Sequence, residues 1–221
     1  DSQAIHRIII LAQFNDVRFK YDRQDFIDLL TKEGYSSYGA AGSAKEYFDE
    51  QFAGLIDFRF DVSEIVTLPG KMADYGGNMA NGEDKNPAQM VIEACQAVDD
   101  DIDFTIYDDD KDGEIDNVFI FFAGADEAEG AGEDCIWSHA WYIFEGTGQT
   151  VTLDGKMVNR YACCSELSRR YHGRSYDETF TGIGTFCHEY SHTFGLPDFY
   201  DTDYEGSGGN SAGLWIWTSL M

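Results

Sequence analysis

The chain has 221 residues, 43% of them apolar and 15% aromatic, enough to bury a substantial core. It carries 41 Asp and Glu against 15 Lys and Arg, a formal net charge of −26, which excludes nucleic acid and anionic membrane surfaces as partners because phosphate binding needs the opposite sign. No stretch approaches the roughly 18 apolar residues of a membrane span, and Asp1-Ser2-Gln3 lacks a basic-then-apolar leader, so the chain reads as a trimmed or mature form.

In chain order, Ile5 to Phe14 is almost continuously apolar and suits a strand buried on both faces. A helix is predicted from about Asp22 to Lys32, with Phe26, Leu29 and Leu30 on one side. A second starts near Ala44, where Ser43 and Glu46 have capping-box spacing. Leu55 to Leu68 alternates partially and reads as extended structure ending at Pro69-Gly70. Asn86-Pro87 predicts an N-cap with proline at the first helical position, and Val91, Ala94, Cys95 and Val98 give that helix its buried stripe.

Ile115 to Ala123 is the strongest core-strand candidate and is expected to stop at Gly124. Ala125 to Asp134 reads as a loop, followed by two strand candidates, Ile136 to Phe144 and Val151 to Cys163. A helix is predicted from about Thr179 to Phe194, with Gly195 as its C′ residue and Pro197 preventing continuation. Gly206 to Gly213 reads as a loop. Strand and helix alternate in the first half and strands crowd the middle, which predicts an α/β (α+β) fold: a mixed sheet packed on helices.

Within the last predicted helix, His188-Glu189-Tyr190-Ser191-His192 places two imidazoles one turn apart on one face, where they can grip a single ion. Glu189 lies where a carboxylate can reach water at the metal without being a ligand. Gly195 follows His192 by three residues and Asp198 follows by three more. A sharp turn at the glycine would return Asp198 as a third zinc ligand and leave one position for water. Without a metal, the same residues read as a helix with two capped or solvent-facing histidines and an aspartate capping a turn. Phe180, Ile183 and Phe186 form the opposite apolar side; Gly182 and Gly184 weaken the helix by about 1 kcal/mol each, and close packing against a strand is the expected compensation.

Between Asp99 and Asp116 there are ten acidic residues and one base, Lys111. An acidic run is ordinarily a solvated face. Here Asp108, Asp110 and Asp112 alternate, Gly113 follows and Asp116 comes three later, the hard-oxygen spacing of a tight calcium loop. Phe119 occupies the position of the EF-hand's closing glutamate, so the loop is a short one, with Asp116 closing it and Glu114 contributing its backbone carbonyl. Its role would be to anchor the strand from Ile115.

His139 reads as a satisfied structural histidine or as a group near the substrate; His6 and His172 carry no signal. Five cysteines (95, 135, 163, 164 and 187) argue against a complete disulfide framework and leave room for one bridge, Cys135 being the candidate partner for Cys163 or Cys164, whose side chains face opposite ways on a strand. Cys187 points about 100° away from His188 and reads as core.

The run Gly182-Ile-Gly-Thr-Phe-Cys-His-Glu-Tyr-Ser-His-Thr-Phe-Gly-Leu-Pro-Asp-Phe-Tyr-Asp201 closely resembles the active-site segment of the immune inhibitor A-like metallopeptidases, secreted bacterial zinc enzymes related to the metzincins. Phe60-Asp61-Val62 with Val66-Thr67-Leu68-Pro69, the stretch from Asp103-Phe104 to Asp116, Ile136-Trp137-Ser138-His139 and Tyr161-Ala162-Cys163 resemble the family too. The resemblance spans nearly the whole chain.

It implies a zincin-like catalytic domain over residues 1–221, with a mixed, mostly parallel twisted sheet above the active-site helix and a short lower part from 195. It further implies zinc held by His188 and His192, and Glu189 as general base and later proton donor to the leaving amine. Asp198 fits a metzincin-like third ligand, with a downstream acidic residue as the alternative. The implied protein is secreted or at the cell surface and acts on polypeptides; its oligomeric state is left open by the sequence, a monomer being the favoured reading. Such proteins usually support the metal from below with a Trp-x-x-Met turn; here Gly213-Leu214-Trp215 leads to Met221 instead, so either Met221 is that methionine by an altered approach or residues beyond it supply the turn. A binding module, an adhesin or glycan- or protein-binding domain with zinc structural or absent, is the competing class. The intact Glu189 argues against it, because a purely structural site needs no carboxylate there.

Overall fold

The computed structural model describes residues 3–198 and Met221. The apolar run near the start forms β1 (Gln3–Gln13), flanked in parallel by β2 (Ile56–Thr67) and β3 (Val118–Ala125). β7 (Arg160–His172) continues the sheet parallel to β3. Two antiparallel strands, β4 (His139–Tyr142) and β8 (Ser175–Phe180), pair with β7 over Arg160 to Cys163 and Leu167 to His172 respectively. The order β2-β1-β3-β7-β4 gives the mixed, mostly parallel sheet expected from the sequence.

Alternation along the central strands splits the core in two. Ile8, Ile10, Val118, Ile120 and Phe122 face α4 (Pro87–Val98) and α5 (Ile143–Thr147), with the short helix α3 (Met72–Tyr75) beside them. Ile9, Leu11, Phe119 and Phe121 face α1 (Arg23–Thr31), α2 (Ala44–Gln51) and α6 (Ile183–His192). Helices therefore cover both faces, which is why the parallel strands read as unbroken apolar runs.

Two helix starts follow the sequence signals. Asp22 accepts from Gln24 and Asp25 while Asp25 returns to the Asp22 N–H, and Ser43 and Glu46 form the second capping box. Asn86 does not cap: its side chain bonds no helix N–H, and its own N–H goes to the Tyr75 carbonyl, leaving Pro87 as the start signal.

The middle of the chain departs further from expectation. Ile136 to Phe144 is a strand only over His139–Tyr142, because Asn159 captures the N–H groups of Ile143 and Phe144 and turns the chain into α5. Val151 to Cys163 is not one strand. Asp154 (φ 50°) and Gly155 (φ 77°) make a tight hairpin between β5 (Val151–Leu153) and β6 (Lys156–Val158), and β7 starts afterwards. Gly124 does not end β3; at φ 95° it makes an irregularity in the β3–β7 register, and its N–H goes to Glu166. Thr179 and Phe180 belong to β8, so the last helix begins only at Ile183.

All five cysteines are free, Cys163 and Cys164 lying in opposite halves of the core; the candidate bridge to Cys135 does not form. Among the described residues no helix is long and apolar enough to cross a membrane. Met221 is buried, while Gly206 to Gly213 and the Gly213-Leu214-Trp215 approach to it lie outside the described residues.

Candidate active site

α6 is seated by its aromatic side. Phe186 and Tyr190 are fully buried, and Phe186 packs edge-on against Phe119 at 4.6 Å and stacks on Phe121 at 5.6 Å between ring centroids. Burying two such rings contributes roughly 1.5–3 kcal/mol each. His188 and His192 each follow one of these anchors by two residues, about 200° around the helix, so the packing that fixes the helix turns both imidazoles outward.

The helix ends in a turn at Gly195, whose φ of 84° is the left-handed conformation that glycine adopts without strain. The turn sends the chain back toward the histidines. His192 Nδ1 donates to the Leu196 carbonyl at 2.8 Å, which fixes the tautomer and leaves Nε2 as a free lone pair aimed at its neighbours. His188 Nε2 and His192 Nε2 are 3.3 Å apart, and Asp198 Oδ1 lies 3.2 Å from the first and 3.4 Å from the second. Zinc bonds of about 2.0–2.1 Å to nitrogen and oxygen correspond to tetrahedron edges of about 3.3–3.4 Å. Asp198 Oδ1 is buried and, among the described residues, accepts no hydrogen bond. An orphaned carboxylate oxygen facing two imidazole nitrogens at those spacings fits a zinc ion.

Glu189 sits beside this triangle, 9% exposed, with Oε1 3.9 Å from His188 Nε2. Burial first, then the negative charges of Asp198 and Asp126, push its carboxyl up to about 8. A divalent cation among these groups would reverse the sign of that local field.

The triangle opens into a cleft of about 420 Å³ walled by β4 and its flanks, from Trp137 to Tyr142, and by Arg160 and Tyr161 of β7. His139 is a satisfied histidine, and it also lines the cleft. Nδ1 donates to the Trp137 carbonyl at 2.7 Å and Nε2 accepts from the Tyr161 hydroxyl at 2.7 Å, so the ring is satisfied while it lines the cleft. Gly182 and Gly184 are not explained by close packing, since a Cβ at either would meet nothing within 4 Å. Gly182 is the N-cap rather than a helical residue, and Gly184 borders an open space next to Glu189.

Several contributors were silent in the sequence. Asp126, 3% exposed after β3, accepts from the Ala128 and Ser138 N–H groups and from the Ser138 hydroxyl, and so holds the segment leading into β4. Asn117 donates to the Thr193 hydroxyl at 2.9 Å, and Arg160 Nη1 donates to the Thr193 carbonyl at 2.7 Å, tying the start of β3 and of β7 to the end of α6. Each tie spans more than 30 residues, and no local pattern marks it.

In the acidic run, carboxylate oxygens of Asp108, Asp110 and Asp112 lie within 4.8 Å of one another. Gly113, at φ 95°, gives its N–H to Asp108, and Glu114 gives its N–H to Asp112. Lys156 pairs with Asp108 at 2.6 Å. Asp116 is not brought into that group: its Oδ2 accepts from the Asp109 N–H and pairs with Arg7 at 3.2 Å.

Residues 2–221 match the family model described as immune inhibitor A peptidase M6, catalytic domain. The chain is 34% identical over 196 residues to "Immune inhibitor A" of Bacillus thuringiensis subsp. alesti, covering 74% of this chain and 26% of that protein. It is 29% identical over 217 residues to "Pre-pro-metalloprotease PrtV" of Vibrio cholerae serotype O1 (strain M66-2), covering 86% of this chain and 22% of that one. The chain thus spans about a quarter of the length of these curated relatives.

Proposed function

Because this chain belongs to the immune inhibitor A peptidase M6 catalytic-domain family, we propose that it is the catalytic domain of a secreted or cell-surface zinc endopeptidase that cleaves extracellular polypeptides. The observation that carries this reading is the triangle of His188 Nε2, His192 Nε2 and the orphaned Asp198 Oδ1, with Glu189 beside it. Those three residues would hold the metal. When bound, zinc supplies Lewis acidity at the scissile carbonyl and a nucleophile near neutral pH.

The chain's own residues do the rest. Glu189, at the triangle's edge and outside it, takes the proton of the attacking water on its carboxylate and returns it to the leaving amine. The Leu196 carbonyl keeps His192 in its ligating tautomer. β4 is an edge strand along the cleft, so an extended polypeptide can add to it through main-chain hydrogen bonds and be drawn past the metal. Casein hydrolysis tests the reading: stripping zinc is expected to abolish cleavage and one equivalent of zinc to restore it, whereas cleavage indifferent to the metal would refute it.

The same reading assigns a structural calcium ion to Asp108, Asp110 and Asp112 with the Glu114 carbonyl, bracing the entry to β3. The placement of Asp116 supports a revised role for it, orienting Arg7 beside the loop rather than closing the ion's shell. At calcium concentrations about 100 times the dissociation constant, the ion would stabilise the fold by about 2.7 kcal/mol. A chelator selective over zinc is therefore expected to lower the melting temperature by about 5–10 °C. An unchanged melting curve would remove calcium from the account.

A further inference from the structure

We propose that Arg160 is a carboxylate-recognition residue of the cleft, so that this peptidase selects substrates carrying a negative charge near the scissile bond. The inference rests on the peptidase reading of the site and adds its substrate class. Arg160 opens β7 opposite Tyr142 of β4, and both residues line the cleft. Its Nη1 donates to the carbonyl of Thr193, the residue after His192, at 2.7 Å, and its guanidinium carbon lies 5.7 Å from the Tyr142 ring centroid. These contacts hold the cation at the metal end of the cleft.

A guanidinium offers five N–H donors in a fork that matches a carboxylate. Thr193 takes one. Among the described residues no carboxylate lies within 4.0 Å of Arg160, Arg18, Arg170 or Arg174, whereas Arg7, Arg23, Arg59 and Arg169 each pair with at least one; of the unpaired four, Arg160 is the one that lines the cleft. Glu114 interacts with Arg160 through its field without pairing with it. Among the described residues, the one Lys or Arg that lines the cleft has no acidic partner. Asp198 and Glu189, the cleft's own acids, are accounted for as metal ligand and base. Long-range repulsion of an acidic substrate by the −26 chain is screened over about 8 Å at physiological ionic strength; a fork-to-fork contact is not screened in this way. The carboxylate can come from an Asp or Glu side chain or from a substrate's C-terminus.

Three peptide types of one parent sequence decide the matter with the zinc-loaded chain: a neutral C-terminal amide, amides with Glu walked through each position around the scissile bond, and the neutral peptide with a free C-terminus. Glu at one position is expected to raise kcat/KM at least about 10-fold over the neutral amide. In Arg160→Gln that ratio falls to near 1, whatever the rate on the neutral peptide, and Arg160→Lys keeps part of it. Calorimetric Kd values for the uncleaved peptides on Glu189→Ala should show the same preference, and lose it in Glu189→Ala/Arg160→Gln. A gain confined to the free C-terminus would support the same contact and assign its source to the chain end. Equal cleavage of charged and neutral peptides by the native chain, or a preference that survives Arg160→Gln, would overturn the proposal and leave the peptidase reading standing. No cleavage of any peptide would sink both.

Discussion

Glu189→Ala is expected to lower kcat on casein by about 10²–10⁴-fold, about 3–5.5 kcal/mol on the barrier, while the protein still binds one zinc ion. The two readouts separate because Glu189 lies outside the ligand triangle: its Oε1 is 3.9 Å from His188 Nε2, whereas the three candidate ligand atoms are 3.2–3.4 Å from one another. On the proposed reading, removing it deletes the group that carries the proton and leaves every candidate ligand atom in place. Casein hydrolysis together with metal analysis makes the check. Zinc lost in parallel with activity would make Glu189 a ligand, and equal cleavage by both proteins would favour a binding module on a peptidase-like fold.

The second large effect concerns Asp198. Its carboxylate is the one candidate ligand that does not come from α6, and it reaches the histidines only because Gly195 adopts the left-handed turn. Partners outside the ligand set cost metal sites about 10–100-fold in affinity when removed, so deleting a direct ligand should cost at least about 100-fold. Competition titration of Asp198→Ala against a chromophoric chelator is expected to show that loss, with the far-UV circular dichroism of the native fold retained. Native-like zinc affinity would move the third ligand elsewhere, to the downstream acidic residue that spacing alone left open.

These two expectations draw on parts of the chain that were legible for different reasons. The histidine pair, the glycine and the aspartate lie within eleven residues, where helical geometry and one turn decide what meets what. Buried strands such as β1 and the two boxed helix starts were legible on the same local grounds. The errors fall where a distant group decides. Asn159 captures the N–H groups that begin α5, and β7 recruits Thr179 and Phe180 into a strand. Asp154-Gly155 is different: its hairpin signal is local and lies in the sequence, inside the strand candidate from Val151 to Cys163. The cleft walls belong to the first group. Arg160 and Asp126 gain their meaning from β4 and α6, which the sequence places tens of residues away.

The proposed chemistry depends on which atoms hold the metal. Zinc K-edge X-ray absorption of the zinc-loaded chain reads this directly. It should report one ion per chain bound by two imidazole nitrogens and one carboxylate oxygen at about 2.0–2.1 Å, with the carboxylate contribution lost in Asp198→Ala. A shell without two imidazoles, or a chain that takes up no stoichiometric zinc, would contradict it.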